Sequence, residues 1–86
     1  MADGLLTSLG DLTFPIIQRH VERILTVTEE HIALAMKYVW ERTKIIIEPS
    51  AAVPVGGIWE HKSVFEGQKV GIILSGGNVD LEKLPW

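Results

Sequence analysis

There is no cysteine among the 86 residues. That excludes disulfides, thiolate metal sites and cysteine nucleophiles, and it implies no oxidising compartment. Positive charge is also scarce. Eight Lys and Arg stand against eleven Asp and Glu, a net charge of −3, and the cations are scattered. A nucleic-acid partner would want them clustered, so none is expected. Long apolar runs are missing too: Glu48 and Pro49 interrupt the longest, so no segment can span a bilayer. Met1-Ala2-Asp3-Gly4 lacks the basic start of a signal peptide, and a cytoplasmic location is the expectation. His20, His31 and His61 lie far apart, with no partner at ligand spacing, so no metal site is expected. Ser75 lacks the glycine two residues upstream that a nucleophile elbow would show. Nothing resembling a repeat, a low-complexity tract or a linker divides the chain, so residues 1–86 read as one partial α/β domain.

What the chain does have is apolar surface. It is 47% hydrophobic, with a mean hydropathy of +0.22. A body this small should need more polar residues, because so much of it is surface. The expectation is a piece of a larger fold, or a tight oligomer, with part of the surface covered.

The pattern along the chain alternates. Residues 1–11 read as loop, with room for one short turn at Leu5–Leu9. Thr13 is placed to cap a helix over about 14–22, with Pro15 in its first turn, where proline is tolerated. Ile24-Leu25-Thr26-Val27 reads as a strand. Thr28 caps a second helix, with Glu29 and Glu30 at its positive end; a capping box would want Glu or Gln at His31. Ile32, Met36, Val39, Trp40 and Thr43 form its apolar stripe. Ile45-Ile46-Ile47 is a second strand, stopped by Glu48-Pro49. A third helix from Ala51 to about Glu60 is poor, since Pro54 lacks an amide hydrogen and Gly56-Gly57 weakens its middle. A loop over 61–68 leads to the strand 69–75. The order predicts a parallel sheet with flanking helices.

The last of these strands carries the strongest site signal. Ile72, Ile73 and Leu74 are contiguous, as in a strand buried on both faces. Ser75 then falls at its carboxyl end, where open α/β sheets bind ligands. Gly76 and Gly77 allow a sharp turn and close approach of a ligand. An ordinary strand followed by a glycine turn explains the same residues. Glu48, closing a three-isoleucine strand, is costly to bury unless paired, or else it sits at the sheet rim.

Five motifs in order resemble one family. They are Ala2-Asp3-Gly4, Thr26-Val27-Thr28-Glu29-Glu30, Val39-Trp40-Glu41-Arg42, Glu48-Pro49-Ser50 and Leu74-Ser75-Gly76-Gly77-Asn78-Val79-Asp80. Together they are similar to the C-terminal part of the serine racemase and serine/threonine dehydratase family, fold type II pyridoxal-phosphate enzymes. The resemblance implies that Ser75 faces the pyridine nitrogen of the cofactor. Gly4 and Glu48 would lie beside the ring, and Gly76 would help shape the pocket floor. It implies a small hydroxyamino acid substrate, dehydrated or racemised. The family's Schiff-base lysine segment, phosphate loop and metal-binding carboxylates have no match here. Lys37, Lys44, Lys62, Lys69 and Lys83 fit none of them. The expectation is therefore a fragment, a truncated frame or half of a split protein, not catalytic alone and binding no cofactor alone. Its partner would be a complementary N-terminal segment or further copies of itself. Ala51, where the family has glycine, and Pro54-Val55-Gly56-Gly57 depart from the family pattern. A non-catalytic α/β module that self-associates or caps a partner remains the alternative.

Overall fold

A computed structural model describes all residues, 1–86. Four α-helices follow one short 3-10 turn at Asp3–Leu5: α1 (Phe14–His20), α2 (Glu29–Thr43), α3 (Pro49–Glu60) and α4 (Lys62–Phe65). The 3-10 turn is earlier than the turn expected at Leu5–Leu9. Thr13 does not cap α1: its backbone is already helical, and its hydroxyl donates to the Gly10 carbonyl at 3.2 Å.

The longest helix, α2, begins as its sequence predicts. Thr28 has extended backbone and its Oγ1 accepts from the His31 amide at 3.3 Å. The helix stops at Lys44, which takes a left-handed conformation with φ 63°. Ile32, Met36 and Val39 of the expected stripe are buried, joined by Ala35. Trp40 is half-buried and Thr43 is exposed, its hydroxyl turned back onto the Val39 carbonyl at 2.7 Å.

The third helix forms in full despite its composition, starting at Pro49, two residues before the expected start. Its unfavourable residues have a use. A Cβ on Gly56 would lie 3.0 Å from the His31 carbonyl oxygen and 3.2 Å from Val27 Cγ2. The glycine lets α3 rest directly on the first turn of α2. Packing, not propensity, holds this helix. Ala51 and Ala52 are fully buried in the same contact, beside Met36 and Ile47.

The parallel sheet expected from the sequence is not present. No residue is in a strand, although Ile24–Val27, Ile45–Ile47 and Lys69–Ser75 are non-helical and in the expected places. The reason lies in the hydrogen bonds. Outside the helices, one backbone bond joins segments distant in sequence, Glu48 N–H to the Gly76 carbonyl at 3.1 Å. A ladder needs a repeated series of such bonds, and these segments have none. The molecule is a slab of 39 × 32 × 19 Å. Its thin axis fits one helical layer over one extended layer, since packed layers are about 10 Å apart. Only 8 of the 86 residues are buried. A core so small leaves large apolar residues in water, among them Leu12 at 87% exposed, Ile73 at 82% and Ile24 at 76%. No helix is long and apolar enough to cross a membrane.

Candidate functional site

The chain turns sharply between Ile47 and Pro49. Ile47 is buried under α2, where its carbonyl accepts from Trp40 Nε1 at 2.9 Å. Glu48 then becomes the N-cap of α3, and its carbonyl accepts from the amides of Ala51 and Ala52, each at 3.1 Å. Its side chain makes no capping bond; it lies against Gly76 instead. A Cβ at residue 76 would collide with Glu48 Oε1. The next glycine is under the same pressure, since a Cβ on Gly77 would meet the Ile46 carbonyl oxygen at 2.5 Å. The two glycines are thus required by close approach of the 45–48 segment, and neither needs positive φ.

Two of the four site residues picked out from the sequence, Glu48 and Gly76, meet here. Ser75 adjoins Gly76, its residue exposed to solvent, and Glu48 is half-buried across from it. Gly4 arrives from the opposite end of the chain. A Cβ on it would stand 3.1 Å from Ser50 Oγ in the first turn of α3. Gly4 thus reaches the same end of α3 through Ser50, two residues after Glu48. No lysine joins these residues by any hydrogen bond or ion pair: Lys44 Nζ bonds the Glu41 carbonyl, Lys37 pairs with Glu41, and Lys62 stands 6.0 Å over the Trp59 ring.

A large concavity of about 710 Å³ lies elsewhere, between residues 22–27 and 68–72 over α3. It is lined by Leu25, Val27, Val53, Ile58, Val70 and Ile72, and its polar members Glu22, Arg23 and Gln68 are exposed. No polar groups converge in it, so the site is not placed there.

One cluster was missed in the sequence. His31 and His61, thirty residues apart, both meet Glu60. His31 Nδ1 lies 3.3 Å from Glu60 Oε1, and His61 Nε2 lies 3.5 Å from Glu60 Oε2. Helical packing of α3 on α2 brings them together, and no spacing rule within one helix could have found it. No group of three such side chains is arranged to hold a metal ion.

Residues 1–76 match the family described as PALP, pyridoxal-phosphate dependent enzyme. The chain is 55% identical over 86 residues to serine racemase of Dictyostelium discoideum, covering 98% of this chain and 26% of that one. It is 48% identical over 86 residues to beta-hydroxyaspartate dehydratase of Paracoccus denitrificans, with 100% of this chain and 27% of the relative covered. Among solved structures, a T.th. threonine deaminase superposes with a TM-score of 0.86 at 44% identity, over 92% of this chain and 26% of that one. The chain therefore spans about a quarter of the length of these relatives. Glu48 and Gly76 both lie in motifs that carry the resemblance, and the chain belongs to the family of pyridoxal-phosphate dependent enzymes.

Proposed function

We propose that this chain forms the pyridine-nitrogen side of the cofactor pocket in a hydroxyamino acid dehydratase or racemase. The observation that carries the reading is the meeting of Glu48 with Gly76, beside Ser75, at the start of α3. When bound, pyridoxal phosphate supplies an electron sink for the bonds at the substrate's α-carbon. The chain's own residues set how deep that sink is. Ser75 would donate a hydrogen bond to the ring nitrogen. A hydroxyl is too weak an acid to leave its proton there, so the nitrogen stays neutral. That favours loss of a β-hydroxyl while leaving racemisation open. Gly76 lets the ring lie against bare backbone, and Glu48 and Gly4 flank it. The base that takes the α-proton comes from outside these residues, and the chain alone turns nothing over. Serine, threonine and hydroxyaspartate are the substrate class, by the names of the relatives. In the complete enzyme, residues 24–27, 45–47 and 69–75 pair as strands of a parallel sheet with segments from the rest of the fold.

The test restores the missing part by fusing or co-expressing the upstream three-quarters of a relative. Ser75→Asp should then change the cofactor absorbance spectrum and the ratio of elimination to racemisation. Ser75→Ala should weaken cofactor binding by about 0.5–1.5 kcal/mol, the net worth of one neutral hydrogen bond. An active, folded enzyme in which Ser75→Asp alters neither spectrum nor ratio would remove Ser75 from the ring nitrogen. The exposed Ile24 and Ile73 also favour a second reading, a non-catalytic module that self-associates through its apolar face. Light scattering on the pure chain, with and without the upstream segment, separates the two.

A further inference from the structure

We propose that Trp40 is a positioning residue for Glu48 and Gly76, a role toward the cofactor that rests on the proposed pocket reading. One peptide group, between Ile47 and Glu48, is bound at both ends. Its carbonyl accepts from Trp40 Nε1 at 2.9 Å, and its N–H donates to the Gly76 carbonyl at 3.1 Å. Indole, peptide and glycine thus form one chain of hydrogen bonds. Bonds in such a chain polarise one another, so removing the first weakens the next.

Trp40 also sets the path by which the chain reaches that peptide. Helix α2 stops where Lys44 takes its left-handed conformation, and the Lys44 amide donates to the Trp40 carbonyl at 3.0 Å. The Ile45 amide then donates to Thr43 Oγ1 at 3.2 Å, and Ile47 is buried. The backbone of Trp40 therefore closes the turn, and its side chain fixes the segment that follows. The Trp86 ring stands edge-on against the Trp40 ring, with centroids 5.1 Å apart and planes at 88°. An indole packed in this way has little freedom to swing its N–H off the Ile47 carbonyl.

Glu48 needs such a hold because it has no room to drift. A Cβ at residue 76 would collide with its Oε1, and one at residue 77 would meet the Ile46 carbonyl oxygen. Its carboxylate makes no capping bond to α3, and the ion pairs of the chain all use other carboxylates. Backbone therefore fixes where the Glu48 side chain starts, and the 47–48 peptide is the piece of backbone that Trp40 holds. Trp40 acts through that peptide and needs no contact of its own with a bound cofactor.

In the 86-residue chain, the Trp40 indole N–H should exchange with solvent more slowly than that of Trp59, whose ring instead meets Tyr38 and Lys62. W40F keeps a ring and removes the donor. It should move the Glu48 amide nitrogen shift and speed exchange of that amide about two- to tenfold, the range for losing one hydrogen bond. I32V, which trims the buried face of α2, controls for general loss of stability and should leave the Glu48 amide as it is. In the enzyme restored with the upstream part of a relative, W40F should weaken cofactor binding severalfold more than I32V, read by absorbance titration. A wild-type Trp40 indole that exchanges as fast as that of Trp59 overturns the proposal, even if W40F fails to fold. So does a folded W40F chain whose Glu48 amide is unmoved. So does W40F binding cofactor as I32V does, in an enzyme that responds to Ser75→Asp. An enzyme that does not respond to Ser75→Asp overturns the pocket reading instead, and the amide measurements decide the hold on Glu48 without it.

Discussion

Helices α2 and α3 and the three extended segments are built from similar apolar residues, yet they end in different states. In α2, Ile32, Ala35, Met36 and Val39 are buried and every turn is hydrogen-bonded within the helix. In the segments Ile24–Val27, Ile45–Ile47 and Lys69–Ser75, Ile24, Ile45, Ile46, Ile73 and Leu74 stay exposed and the backbone is almost unpaired. A helix closes its hydrogen bonds with residues four positions away. A strand must find its partner on another segment, and a parallel strand finds it only across a crossover. Helices α2 and α3, joined through residues 44–48, bury each other. The three extended segments share one backbone bond, Glu48 N–H to the Gly76 carbonyl, and form no sheet.

The comparison can be broken at its strongest point. Met36 is fully buried between α2 and α3. Met36→Ala should cost about 2–5 kcal/mol. In so small a core that should remove most of the helical circular dichroism. Retained helicity would mean that the helices stand without their mutual contact. A smaller change should sharpen the contrast. Gly77→Ala sets a Cβ against the Ile46 carbonyl oxygen, and overpacking of this kind costs about 1–3 kcal/mol. It should detach the 75–77 loop, so that the Glu48 amide exchanges as fast as an exposed one. Amides inside α2 should be unaffected; loss of protection there would make the two regions one cooperative unit. The smallest effect is expected where the regions are joined. Trp40→Phe removes the donor to the Ile47 carbonyl and should destabilise by about 0.5–1.5 kcal/mol. Near-ultraviolet circular dichroism should also lose the signal of Trp40 stacked edge-on with Trp86, their centroids 5.1 Å apart.

Much of this was legible in the residues. The stripe of α2 and its Thr28 cap follow from helical spacing, and the structure departs only at Thr43, whose hydroxyl prefers the Val39 carbonyl. Gly76 and Glu48 were picked out for reasons of local chemistry and family resemblance, and a Cβ on Gly76 would meet the Glu48 carboxylate. Gly56 was misleading in the one-dimensional pattern. It reads as a helix weakener, and it is the point where α3 touches α2. The meeting of His31 and His61 with Glu60 was hidden because His31 lies about thirty residues from the other two.

The sequence by itself determined the start of α2 at its Thr28 cap, which residues carry its apolar face, and which family the chain belongs to. These are matters of local hydrogen bonding, side-chain periodicity and motif, all contained within short stretches. Tertiary structure decided the rest. It made a helix of Pro49–Glu60 by laying Gly56 on His31, gathered Glu48, Gly76 and Gly4 at one end of that helix, and left the strands unpaired. Each of those outcomes depends on whether groups distant in sequence meet in space.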